Sequence, residues 1–310
     1  MNKLLLLLLC ASCPLPAGAA DFTSGARGST GAQFLELPAG ARAIAMGSAY
    51  TSISGDPFSA YYNPAGLAGT EKVGAGLMHA AYLEEISYEY GVLAVPVRKA
   101  ETLGVSVQYL AVGKMQELDK TGAATGGSFR PDDLAVSAIY AARLGALDLG
   151  LAVKRITSRI RGSASSFAGD LGLRARSGNY AFGLSVLNLG KGLKFHQKES
   201  PLPETARVGA SVRLGYRWLV SIDGIAAKGA APAAAAGAEY KLVSGRRINL
   251  AARAGYNSRP AAGKAGGLTG LSAGAGLELG DAAFDYAWSP CGDLGATHRF
   301  SVGLKFGGPY

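Results

Sequence analysis

The run ARVGASVRLGY, residues 206–216, decides how this chain folds. Val208, Ala210, Val212, Leu214 and Tyr216 fall on one side of an extended strand. Arg207, Gly209, Ser211, Arg213 and Gly215 fall on the other. A period of two marks a β-strand with one dry and one polar face. LDLGLAVK (147–154) repeats it, with Leu147, Leu149, Leu151 and Val153 against Asp148, Gly150, Ala152 and Lys154. HRFSVGLKF (298–306) does the same with Phe300, Val302, Leu304 and Phe306 against Arg299, Ser301, Gly303 and Lys305. Fourteen such segments are legible: 73–83, 87–98, 101–113, 131–144, 146–158, 167–177, 179–189, 205–216, 217–227, 231–243, 246–257, 267–279, 281–290 and 296–306. Each is near the roughly 9–11 residues that a tilted strand needs to cross a bilayer.

Connection lengths then separate a membrane barrel from a soluble two-sheet sandwich. KA, RLG, SGN, SGR and GD are short, whereas 114–130, 190–204 and 257–266 are long. Short turns at one end and long loops at the other are the layout of an outer-membrane barrel. Tyr88, Tyr180, Tyr216, Trp218, Tyr256, Trp288 and Phe306 sit near segment ends and are expected on the apolar face, at headgroup level. The other face carries small residues and charges of both signs: Asp148, Lys154, Asp170, Arg174, Arg207, Arg213, Asp223, Glu239, Arg253, Glu278, Asp285 and Arg299. A lipid-facing charge costs a few kcal/mol, so these are expected to face a lumen. The mixed signs argue against a strongly ion-selective pore. The expected fold is all-β: a transmembrane antiparallel β-barrel of about fourteen strands.

Residues 1–20 are expected to be a signal peptide, with Lys3, an apolar core of Leu4 to Leu9, and Ala17-Gly18-Ala19 for cleavage. Cys10 and Cys13 lack the Leu-small-small run of a lipidation site and would leave with it, so Cys291 alone remains and no internal disulfide is expected. No later apolar run reaches the length of a spanning helix. Losing Lys3 takes the net charge from +9 to +8, spread along the chain, so no nucleic-acid patch is indicated.

Residues 21–72 lack the two-residue period and are expected to form a plug, ahead of a barrel domain at 73–310. A ring of fourteen strands is too wide for side chains alone to fill. GDPFSAYYNPAG (55–66) holds two helix-start signals in succession: Asp56 before Pro57, and Asn63 before Pro64. A carboxylate or amide at N-cap and proline at the first helical position satisfy the same helix end. Gly66 and Gly69 allow a close approach to the wall.

The whole stretch LPAGARAIAMGSAYTSISGDPFSAYYNPAGLAG (37–69) resembles the N-terminal signature of the PorV/PorQ family, within the FadL-type group of outer-membrane barrels. Gly40-Ala41-Arg42-Ala43, Met46-Gly47, Ala49, Asp56-Pro57 and Asn63-Pro64-Ala65-Gly66-Leu67 carry the resemblance. It implies a fourteen-stranded barrel with an N-terminal hatch in the outer membrane of a Gram-negative bacterium. It also implies one of two roles. PorV-like members serve type IX secretion, receiving the C-terminal domains of cargo proteins. FadL-like members pass fatty acids or other hydrophobic compounds. Asp56, Pro57, Asn63, Pro64, Ala65 and Gly66 are the expected hatch motif, holding the hatch or gating it.

Residues that could carry chemistry are sparse. His79, His196 and His298 are far apart and lack metal-ligand spacing, and no Walker or dinucleotide motif is present, so no cofactor is expected. GLSAG (270–274) matches a nucleophile pattern, but it continues alternating as a strand, and Ser272 reads as a small wall residue. FHQKESPLPET (195–205), with His196, Lys198 and Glu199, is the expected loop for partner contact, being charged and proline-stiffened. The sequence thus points to a non-catalytic barrel. Its expected partners are membrane lipid and either cargo domains or a hydrophobic small molecule.

Overall fold

The computed structural model describes residues 22–26, 28–82, 85–195, 197–245, 247–261 and 268–307. The expected export segment, 1–20, and His196 lie outside the described residues. Fourteen strands form a closed antiparallel barrel. In chain order these are β1 (Val73–Ala81), β2 (Ser87–Arg98), β3 (Glu101–Ala111), β6 (Asp132–Leu144), β7 (Leu147–Arg159), β8 (Ser163–Ser177), β9 (Tyr180–Gly190), β12 (Thr205–Leu214), β13 (Trp218–Ala227), β14 (Ala233–Ser244), β15 (Ile248–Asn257), β16 (Leu271–Leu279), β17 (Ala282–Pro290) and β18 (Ala296–Phe306). Two small hairpins, β4 (Met115–Leu118) with β5 (Ala124–Phe129) and β10 (Leu193–Phe195) with β11 (Lys198–Ser200), rise from the two longest loops. The ring closes where β1 pairs with β18, from Val73 opposite Phe306 to Ala81 opposite His298.

The alternation becomes a barrel turned inside out relative to a water-soluble core. On β7, Asp148 is 0% exposed while Val153 is 62% exposed. Leu77, Leu151, Phe167 and Ile222 likewise stand outward, and Asp170, Arg174, Arg207, Asp223, Glu239, Arg253 and Arg299 are buried inward. Apolar rows that never meet across a second sheet need lipid to cover them. Trp218 lies against Tyr240, with Arg217 over the Tyr240 and Tyr216 rings, as an aromatic girdle at one end.

Six connections at that end are two or three residues long, while the opposite end bears the long loops. Gly178 and Gly280 open two of the short turns at φ 59° and 61°, a left-handed backbone that a side chain would strain. One expected boundary moves. β7 runs on to Arg159 and β8 starts at Ser163, not 167, so the joining loop is a three-residue turn. Thr157 and Ser165 keep the ladder paired where polar residues had hidden the pattern. Tyr88 also departs from expectation. It points inward, fully buried, because it is in phase with Tyr90, Val92 and Ala94, not with outward Leu93 and Val95.

Residues 30–72 run down the inside of the ring. Gly31 N–H donates to Pro201 C=O at the long-loop end, where Phe34 and Leu35 pack on Ile156, Leu193 and Leu202. At the short-turn end Arg143 donates to Ala68 C=O, and Lys72 meets Asp281. Between these points stand one-turn helices at Ala41–Ala45 and Ser59–Tyr62 and a 3₁₀ turn at Pro64–Leu67.

Candidate functional site

The inner segment meets the wall through cut-to-fit surfaces. Gly150 of β7 and Gly172 of β8 leave room for Asn63, Pro64 and Ala65; a Cβ at either glycine would overlap those atoms. Gly183 does the same for Thr51, Gly237 and Gly255 for Met46 and Gly47, and Gly104 for Leu67. Part of the glycine excess of the sequence thus serves close approach between segment and wall.

Asn63 is the N-cap of the Pro64–Leu67 turn: its Oδ1 accepts from Ala65 N–H at 3.0 Å. Its amide donates to Thr51 C=O and Leu173 C=O, both at 2.9 Å, joining the turn, an earlier part of the segment and the wall. Ser185 of β9 donates to Tyr62 C=O at 2.8 Å. Asp56 accepts Phe58 N–H at 2.9 Å and the Tyr50 hydroxyl at 2.7 Å. The bond to Phe58 closes a turn ahead of the helix: the N-cap of Ser59–Tyr62 is Phe58, with no side-chain cap bond, so Asp56 and Pro57 stand before the helix end the sequence assigned to them. Pro57 packs on Gly74 of β1, and Gly66 has Ser59 where a side chain would stand. The six expected motif residues are in this way brought to one lower portion of the lumen.

Charge holds the middle. Arg42, on the Ala41–Ala45 helix, donates through Nε and Nη2 to Glu239 of β14, at 2.7 and 2.8 Å. Arg253 of β15 donates to the same carboxylate at 2.7 Å and to Asp285 of β17 at 2.6 Å. Asp223 of β13 accepts Tyr50 N–H, Thr51 N–H, the Thr51 hydroxyl and Arg207 on one oxygen. Asp148 lies between Arg143 and Arg174, and Arg174 also donates to Ser52 C=O. Ser272 of the GLSAG run accepts from Gly47 N–H and donates to Ala45 C=O, so it is occupied as a strut. Near the long-loop end, Asn188 takes a left-handed backbone (φ 63°) at a bulge of β9. It accepts from Lys154, donates its N–H to Asp170, and holds Pro203 C=O.

The expected partner loop is divided. Lys198 and Glu199 stand at the exposed hairpin tip, Glu199 accepting from Gly192 N–H. Leu202 and Pro203 instead are buried in the barrel mouth; Pro201 C=O holds Gly31 of the inner segment, and Pro203 C=O is held by Asn188 of the wall. Sequence reading had no signal for this, since PLPE lies outside any periodic run.

Above the inner segment the barrel keeps a vestibule of about 240 Å³. Its floor and sides include Leu37, Ile44, Tyr61, Tyr62, Ile225 and Leu271. Three arginines also line it. Arg207 is paired with Asp223; Arg259 donates to Glu36 at 2.6 Å; Arg299 donates to the Tyr82 hydroxyl at 3.0 Å and lies 5.2 Å over its ring. Burial pushes the Glu36 carboxyl above its ordinary range, and Arg259 opposes that shift. Burial also raises the Tyr61 phenol, which stays a neutral donor to Leu35 C=O. Among the described residues no cluster of three or more metal-ligating side chains occurs.

Solved structures with this fold include the Pseudomonas putida toluene transporter TodX, at 12% identity and TM-score 0.58, covering 86% of this chain and 97% of that one. The Ralstonia pickettii toluene transporter TbuX is similar at 13% identity and TM-score 0.58, over 87% and 98% of the two chains. A Pseudomonas aeruginosa FadL homologue follows at 12% and 0.55, over 86% and 97%. These likenesses are of fold. No curated protein matches the chain in sequence. The protein is an outer-membrane β-barrel of the Gram-negative type. Residues 24–214, which take in the inner segment and the first half of the ring, match the family described as type IX secretion system protein PorV, and the chain belongs to that family.

Proposed function

We propose that this protein is an accessory of type IX secretion or surface attachment, which binds a protein partner at its outer rim without catalysis. The observation that carries the reading is the family match, which spans the inner segment and the first eight strands of the ring. The packed lumen agrees with it. The Pro64–Leu67 turn and the Glu239 and Asp223 networks fix residues 41–68 to two stretches of the wall, β7–β8 and β13–β14. Residues 21–72 then act as a hatch that closes the barrel, with Asp56, Pro57, Asn63, Pro64, Ala65 and Gly66 as its fixed lower part. The rim, including Lys198 and Glu199, is the surface left for a cargo C-terminal domain.

Gene deletion tests the role: loss of cargo attachment at the cell surface, restored by the wild-type gene, is the expected result. Normal attachment together with lost uptake of a hydrophobic compound would favour transport instead. The apolar side of the vestibule, with Leu37, Ile44, Ile225 and Leu271, is the observation that favours this second reading.

A further inference from the structure

Most buried charges of the lumen face an opposite charge. Asp148 lies among Arg174, Arg143 and Arg176, of which the last two are about a third exposed and reach water; Lys154 has Asp170, Arg207 has Asp223, and Arg253 has Glu239 and Asp285. Arg299 has none. It is 6% exposed, yet among the described residues no carboxylate lies within 4.0 Å of its guanidinium. Its one hydrogen-bond acceptor is the Tyr82 hydroxyl, and its Nε has no partner. Arg259, on the same vestibule, spends Nη1 on Glu36 and leaves Nε and Nη2 without partners. Glu36 is the one carboxylate among the described residues lining this cavity, which three arginines share. With Arg207 matched by Asp223 behind it, the described lining retains one positive charge.

A buried guanidinium without a counter-charge is costly, and its planar fork of donors fits a carboxylate. The rest of the lining sets what that carboxylate is attached to. Leu37, Pro38, Ile44, Ile225 and Leu271 are apolar, and the Tyr61 and Tyr62 rings border the same space. A cavity of about 240 Å³ accommodates a ring with a short chain. We propose that the vestibule binds a monocarboxylate with a compact apolar or aromatic body, its carboxylate on Arg299 beside Arg259. A single excess charge and a mainly apolar wall suit a monoanion better than a phosphate. The carboxylate belongs either to a free small acid or to the C-terminus of a peptide with an apolar last residue. This inference does not depend on the secretion role.

Titration calorimetry of the full-length protein in a non-ionic detergent tests it, with 3-phenylpropionate as probe and its uncharged amide as control. The acid is expected to bind at least tenfold more tightly than the amide. Arg299→Met is expected to reduce the acid to the level of the amide. Arg155→Met, on the outward face of β7, removes the same charge elsewhere and should leave acid binding unchanged. A tripeptide ending in phenylalanine, with free or amidated carboxyl, separates the two sources. A free-carboxyl preference of tenfold assigns the site to a peptide terminus, and a preference confined to the small acid assigns it to a free acid; either supports the proposal. Equal affinity of acid and amide, with no free-carboxyl preference in the peptide, overturns it. That comparison uses the wild-type chain, so misfolding of Arg299→Met would not shelter the idea.

Discussion

On the β14–β17 side of the lumen the inner segment is gripped by charge: Arg42 enters a chain of groups running through Glu239 and Arg253 to Asp285. On the β7–β9 side no charge of the segment is used. Asn63, Pro64 and Ala65 sit in the space left by Gly150 and Gly172, and neutral hydrogen bonds run to Leu173 and from Ser185; the charged donor here, Arg174 of β8, reaches only the Ser52 carbonyl and has its counter-charge in Asp148 of the wall. Glycines are not what differs, since Gly237, Gly255 and Gly274 make room for Met46, Gly47 and Ala45 on the charged side as well. What differs is the penalty for losing one partner. Removing one member of a buried ion network strands unpaired charges, whereas removing a neutral partner strands at most a neutral group, at a lower cost.

The largest effect is therefore expected at Glu239. Its carboxylate is 3% exposed and serves two guanidinium groups at once. Glu239→Ala should destabilise the folded barrel by about 3–5 kcal/mol. Urea unfolding followed by the electrophoretic shift between folded and unfolded barrel reads this. Adding Arg42→Met should recover part of the loss, because one stranded charge goes with it; strict additivity would mean that the two are not coupled.

The fitted side is probed by Gly172→Val. A Cβ there overlaps Asn63 Oδ1 and Pro64 Cδ, so the branched side chain must displace the turn. The expected loss is about 3 kcal/mol, the upper end of the usual overpacking cost. The distinguishing readout is proteolysis, since a displaced segment would be cut between 63 and 69 while the barrel survives. Destabilisation without new cleavage would mean that the wall yields instead, and the picture of a rigid groove would fail. Asn63→Ala should have a smaller effect, about 2 kcal/mol, from the lost cap and two carbonyls left without a donor. Asn63→Asp should restore the cap but not the amide donations, so it belongs between Ala and wild type.

How much of this was legible follows from what a period of two encodes. Parity along a strand tells which face a residue takes, and so Asp148, Asp223, Glu239 and Arg253 were placed inward from their neighbours alone. Parity says nothing of register. Arg253 stands opposite Gly274 on one side and Glu239 on the other, and Tyr82 comes beside Arg299 only because β1 closes on β18. The vestibule is built from such closures, and no local pattern records it. Tyr88 shows a further limit: its aromatic character suggested headgroup level, but its phase with Val92 and Ala94 was the stronger signal. In the inner segment, cap chemistry was readable at Asn63-Pro64 because the bond is local. The clamp by Pro201 C=O and Pro203 C=O was not, since their partners, Gly31 and Asn188, lie on other parts of the chain.

The smallest effect should come at the short-turn mouth, where charge again ties the inner segment to the wall. Lys72 donates to both oxygens of Asp281, at 2.7 and 3.0 Å, but both side chains are partly exposed. Water already solvates each partner there, so removing one strands nothing. Lys72→Ala should cost no more than about 1 kcal/mol, and the cost should vanish in high salt. The same substitution logic applied to Glu239 should be nearly indifferent to salt, because that carboxylate is enclosed by Arg42 and Arg253. Measuring both unfolding midpoints at low and high ionic strength places the two ion pairs on one scale. Salt sensitivity of equal size at the two sites would show that water reaches the middle of the lumen, and the contrast between a charged grip and a fitted one would then lose its physical basis.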